Sequence, residues 1–65
     1  MTETERICAY LEAMAEKAGG DVRVFSNGNG KYFMHRTGKS DVSFQVSMEE
    51  TREAFNEKVK ILMEW

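Results

Sequence analysis

The chain has 65 residues, with 9 Lys and Arg against 11 Asp and Glu, a formal net charge of -2, one His, one Cys and no Pro. Such a length allows one small domain over residues 1–65 with a marginal core, since only about 60% of the unfolded surface is buried at this size. The single Cys and single His exclude a disulfide framework and a typical structural zinc site, and 42% apolar with 31% charged content excludes a disordered composition.

No apolar run approaches the roughly 18 residues that span a bilayer, and the first residues, Met1-Thr2-Glu3-Thr4-Glu5, are acidic rather than signal-like. A cytoplasmic, reducing compartment is therefore expected, with no membrane partner. The overall charge predicts no bulk attraction to nucleic acid or anionic lipid.

The first segment reads as a helix over roughly residues 3–18. Thr2 and Glu5 fit a capping box, and Ile7, Tyr10, Leu11, Met14 and Ala18 fall on one face of a 3.6-residue period. Gly19-Gly20 ends it, because glycine enters the left-handed cap conformation without a Cβ clash.

The period then becomes two. Val22 and Val24 alternate with Arg23 and Phe25, and Asn27-Gly28-Asn29-Gly30 follows as a turn. Lys31–Arg36 is aromatic and extended, and Thr37-Gly38-Lys39-Ser40 turns again. Val42, Phe44 and Val46 then alternate with Ser43, Gln45 and Ser47. Three strands joined by short turns make an antiparallel meander.

The last segment returns to helix, with Ser47 and Glu50 as a second capping box. Phe55, Val59, Leu62 and Met63 form its apolar stripe, widened by Ala54, Ile61 and Trp65. The expected fold is α+β, a two-layer αβββα domain: a three-stranded antiparallel meander with both helices on one face. Val22, Val24, Val42, Phe44 and Val46 line the covered side. If Tyr32 and Met34 point inward, the open side carries Arg23, Phe25, Lys31, Phe33 and His35.

Charge follows these layers. Residues 1–18 carry four acids and two bases, residues 19–47 two acids and four bases, and residues 48–65 five acids and three bases. The strands are basic and both helices acidic. Glu49, Glu53 and Glu57 recur every four residues with Glu64 near the same line, placing carboxylates about 6 Å apart along a helix. Glu12 and Glu16 of the first helix are expected as neighbours of that stripe. Such a negative row crudely imitates phosphates and suits a basic groove on a partner.

Signals for catalysis are thin, and no enzyme, metal or cofactor is expected. His35 is the only histidine, with Asp41 as a carboxylate to orient it across the second hairpin. Cys8 reads as a small buried hydrophobe beside the first apolar stripe. The Asn27–Gly30 run lacks the helix and the Lys-Ser/Thr ending of a phosphate loop.

The order helix–strand–strand–strand–helix resembles the double-stranded-RNA-binding domain. That family carries a basic cluster at the start of its last helix, whereas Ser47–Glu53 here holds three acids and one base. The order is similar also to the HicA-type toxins that cleave messenger RNA, whose catalytic histidine follows a glycine at the start of the middle strand. Here Lys31 and Tyr32 follow Gly30, and His35 comes late. In size and acidic character the chain resembles phage-encoded anti-CRISPR inhibitors, which block an effector's nucleic-acid groove or assembly surface, several as DNA mimics.

The leading expectation is thus a non-enzymatic module that binds a host protein or ribonucleoprotein complex through Glu49, Glu53, Glu57, Glu64, Glu12 and Glu16, as a monomer or homodimer. The alternative is an RNA-binding domain using Arg23, Phe25, Lys31, Phe33 and His35, since aromatic rings among cations stack bases and hold phosphates. A HicA-like toxin centred on His35 stands third.

Overall fold

A computed structural model describes residues 2–65, and its elements run α1 (Glu3–Lys17), β1 (Val22–Ser26), β2 (Tyr32–Arg36), β3 (Lys39–Val46) and α2 (Arg52–Glu64). The strands form one antiparallel sheet in the order β1-β2-β3. The chain is a small α+β domain of the expected αβββα order.

At the start of α1 the capping box is complete. Thr2 Oγ1 accepts the Glu5 amide at 3.2 Å, and Glu5 Oε1 accepts the Thr2 amide at 3.0 Å. Donation to that carboxylate from the Thr2 amide, and next from the Thr2 hydroxyl at 3.0 Å, holds the Glu5 carboxyl below its ordinary value. The other end closes with a Schellman motif: Gly19 N–H donates to Glu16 O at 3.0 Å and Gly20 N–H to Ala15 O at 2.9 Å. Gly19 takes φ +85°, the left-handed conformation this motif requires.

Gly20 is needed for a different reason. A Cβ there would lie 2.3 Å from Val59 Cγ1, so the link between α1 and β1 passes directly against α2.

One core joins the layers: Leu11 and Ala15 from α1, Val22, Val24, Met34 and Val46 from the sheet, and Phe55, Val59 and Leu62 from α2. Met34 is fully buried, which settles the facing of β2. Tyr32 and Met34 turn toward the helices, and the opposite side of the sheet carries Phe33 and His35.

The α1 stripe differs from its expectation. Ala15 is buried in it, whereas Tyr10 is half exposed and Ala18 is exposed. The helix packs chiefly along β1, so its contact line runs through Ile7, Cys8, Leu11 and Ala15. On α2, likewise, Ala54, Ile61 and Trp65 stay outside the core.

The start of α2 is also corrected. Thr51 is its N-cap, with Oγ1 accepting the Ala54 amide at 3.1 Å. Ser47 and Glu50 instead shape the turn before it: Glu50 Oε1 accepts the Ser47 amide at 3.3 Å, and Ser47 Oγ accepts the Glu49 amide at 3.0 Å. Strand β3 stays paired as far as Val46, opposite Tyr32, so the chain needs this turn before it can run back over the sheet.

The last turn of α2 has no basic residue of its own. The β2–β3 hairpin supplies the cations instead: Arg36 Nη1 donates to Met63 O at 3.3 Å and Lys39 Nζ to Trp65 O at 2.6 Å. Positive charge there offsets the negative end of the helix dipole.

Candidate functional site

The helix-free face of the sheet is a small grid set by strand register. Arg23, His35 and Ser43 form one cross-strand row, and Phe25, Phe33 and Gln45 form the next. Side chains directly opposite each other stand about 5 Å apart at Cβ, so each row is a contact unit. Alternation puts these residues together: their sequence neighbours Val22, Val24, Met34 and Val46 are pulled into the core, and the pleat sends the rest outward.

The rings are in contact. Phe25 and Phe33 lie 5.7 Å apart between centroids with planes 25° from parallel, and His35 sits 5.5 Å from Phe25 at 49°. Phe25 remains 42% exposed, while Phe33 and His35 are half-buried.

His35 Nδ1 lies 2.9 Å from the Arg36 carbonyl oxygen. A carbonyl only accepts, so Nδ1 carries the proton, and in the neutral ring Nε2 keeps its lone pair. Asp41 is not the partner of this ring; the register places Ser43 opposite it.

Four bases belong to the strand region, and the structure divides them. Arg36 and Lys39 serve the end of α2, whereas Arg23, opposite His35, and Lys31, just ahead of β2, are exposed. The grid is therefore aromatic in the middle, with Arg23 at one margin near Glu12, Glu16 and Asp21 and Lys31 at another near Glu49.

The six acids do not form one surface. Glu12 is half-buried and its Oε2 accepts the Val24 amide at 3.0 Å, at the outer edge of β1. Glu16 lines the same cleft as Glu12, beside Asp21 and Arg23. Glu53, Glu57 and Glu64 line a separate surface with Gly19 and Lys60. Glu49 stands before α2, in the turn, rather than on its first rung.

Two contacts at the sheet edges have no counterpart in the sequence reading. Lys58 Nζ donates to the Gln45 carbonyl oxygen at 2.5 Å and pairs with Glu50 Oε2, covering an outward group of β3 as Glu12 does for β1. No local pattern announces such pairs, because the partners are brought together only by packing. Cys8 packs half-buried against the core; burial, and next the nearby Glu12 carboxylate, push its thiol up from the usual value.

Among the described residues no helix is long and apolar enough to cross a membrane, and no group of His, Cys, Asp and Glu has the arrangement of a metal site. Comparison with protein families, with curated proteins and with solved structures finds no match to this chain.

Proposed function

We propose that this chain is a non-enzymatic binding module that takes single-stranded RNA on the open face of its sheet. The observation that carries the reading is the contiguous Phe25–Phe33–His35 cluster on the helix-free face, with Arg23 opposite His35 in the same row and Lys31 exposed just ahead of β2. Bases stack on aromatic faces with about 1–3 kcal/mol each, and flanking cations meet the backbone phosphates. Both helices cover the opposite face of the sheet, and their nearest acids, Glu12 and Glu16, stand at the β1 edge beside Arg23 rather than over the rings.

Fluorescence anisotropy with a labelled single-stranded RNA tests this. Phe25→Ala and Phe33→Ala each weaken binding by about tenfold or more while the protein stays folded, and affinity falls steeply with salt. Absence of binding, or binding indifferent to both substitutions, overturns the reading.

A second reading has its own observation. Glu53, Glu57 and Glu64 are exposed on one side of α2, with Lys60 as the base among them. This supports an inhibitor of anti-CRISPR type that offers a negative surface to a host protein or ribonucleoprotein complex. A pull-down from bacterial lysate, with and without nuclease, separates the two. RNA-dependent recovery favours the sheet face. A protein partner that survives nuclease and is lost on Glu53→Lys with Glu57→Lys favours the helix.

A further inference from the structure

Gln45 stands directly opposite Phe33 across the β2–β3 pair and completes the row Phe25, Phe33, Gln45. Its side chain is exposed and makes no hydrogen bond among the described residues, with Phe33 opposite it and Lys31 and Glu49 on the adjoining surface. Its main chain, by contrast, is held. The Gln45 carbonyl accepts from Lys58 Nζ, and Lys58 is itself paired with Glu50, so the residue is anchored from α2 while its amide is left free.

A primary amide offers one donor and one acceptor side by side. Adenine presents the complementary pair, an amino donor next to a ring-nitrogen acceptor, and Gln is one of the two side chains that engage it in a bidentate way. A base stacked on Phe33 lies within one strand spacing of this amide. Uracil lacks the amino donor, and cytosine carries the same amino and ring-nitrogen pair on a smaller ring that stacks less on Phe33, so of the three adenine alone combines both. The Ser43 hydroxyl and the Nε2 of His35, which has no hydrogen-bond partner among the described residues, lie in the adjoining row, one pleat away.

We infer that Gln45 is the base-reading residue of the sheet face and that the site prefers adenine stacked on Phe33. The inference rests on the single-stranded-RNA reading above and deepens it by naming the base. Stacking supplies affinity, and Gln45 supplies the choice.

The test compares oligo(A), oligo(U) and oligo(C) of one length, labelled alike, by anisotropy against the wild-type protein and Gln45→Ala. The exposed position and the retained main-chain bond to Lys58 let Gln45→Ala fold, which its thermal transition checks. The wild type binds oligo(A) about tenfold more tightly than oligo(U), the discrimination expected of one bidentate pair. In Gln45→Ala that ratio falls to about twofold, through loss of oligo(A) affinity alone, and the remainder reflects purine stacking. Equal affinity of the wild type for all three, preference for a pyrimidine, or a ratio unchanged by Gln45→Ala overturns the assignment of Gln45 while leaving RNA binding in place. Failure of all three oligomers to bind overturns the RNA reading and this inference together.

Discussion

Glu12 of α1 fastens the edge of the sheet: its Oε2 accepts the amide N–H of Val24 across 3.0 Å. Val24 lies opposite Met34 in the β1–β2 register, yet its amide donates to Glu12 and so faces outward from an edge strand. An outward amide is a free docking point for a foreign strand, and a helix carboxylate placed over it removes that liability. Glu12→Ala leaves the amide half-buried without its partner. The expected cost is about 1–2 kcal/mol, or about 4–8 °C in Tm for each kcal/mol in a domain of this size. Calorimetry checks it. A variant as stable as the wild type shows that water replaces the carboxylate at no cost.

The same carboxylate acts on Cys8. Burial first, and Glu12 second, hold the thiol up from its usual value. The folded state therefore favours the protonated thiol, whereas the unfolded chain loses that proton near pH 8.5. The stability this contributes is present below about pH 8.5 and is lost as pH rises above it. Alkylation by iodoacetamide at pH 8 should be slower than for a free thiol and faster in Glu12→Gln, as followed by mass spectrometry. Equal rates in both proteins would remove Glu12 as a cause.

Gly19 and Gly20 are adjacent, yet they fail for different reasons when replaced. Gly19→Ala forces a side chain into φ +85° with open space around it, a conformational cost of about 1–2 kcal/mol. Gly20→Ala drives a Cβ into Val59 Cγ1, an overpacking cost of about 1–3 kcal/mol. A double-mutant cycle separates them. Val59→Ala lowers the added cost of Gly20→Ala and leaves that of Gly19→Ala unchanged. The same coupling for both glycines would contradict the packing account.

Lys58 guards the other edge. Its bonds to the Gln45 carbonyl and to Glu50 tie α2 to β3. Lys58→Met keeps the aliphatic stem but releases both acceptors. Because the pair is partly exposed, the loss of stability is about 1 kcal/mol or less. The larger effect is on association, since β3 then presents an uncovered edge. Sedimentation velocity should show concentration-dependent dimer in Lys58→Met and less of it in wild type. A strictly equal distribution would mean that Lys58 does not protect the edge.

Much of the architecture was legible in residue order. The α1 capping box, the Gly19-Gly20 stop and the alternation of Val22, Val24, Val42, Phe44 and Val46 are local signals, and each depends on interactions within a few residues. Local signals mislead where two candidates compete. Ser47 and Thr51 both suit an N-cap, and the choice of Thr51 follows from how far β3 stays paired with β2. Tyr10 and Ala18 match the helical period as well as Ala15 does, but α1 leans on β1, and the face through Ile7, Cys8, Leu11, Met14 and Ala15 meets the core.

The candidate site divides in the same way. By itself the sequence determined an αβββα chain with acidic helices, basic strands and a middle strand whose two faces both held large residues. Only the tertiary structure decided that Met34 is buried and Phe33 outward, because strand register aligns Met34 with Val24 and Phe44 on the helix-covered side and no window of a few residues contains that register. Packing also decided which charges are free. Glu12, Arg36, Lys39 and Lys58 are spent on backbone groups brought near by the fold, whereas Arg23 and Lys31 remain exposed. Charge is a property of a residue, but its availability depends on whatever unsatisfied polar group the folded chain places within reach.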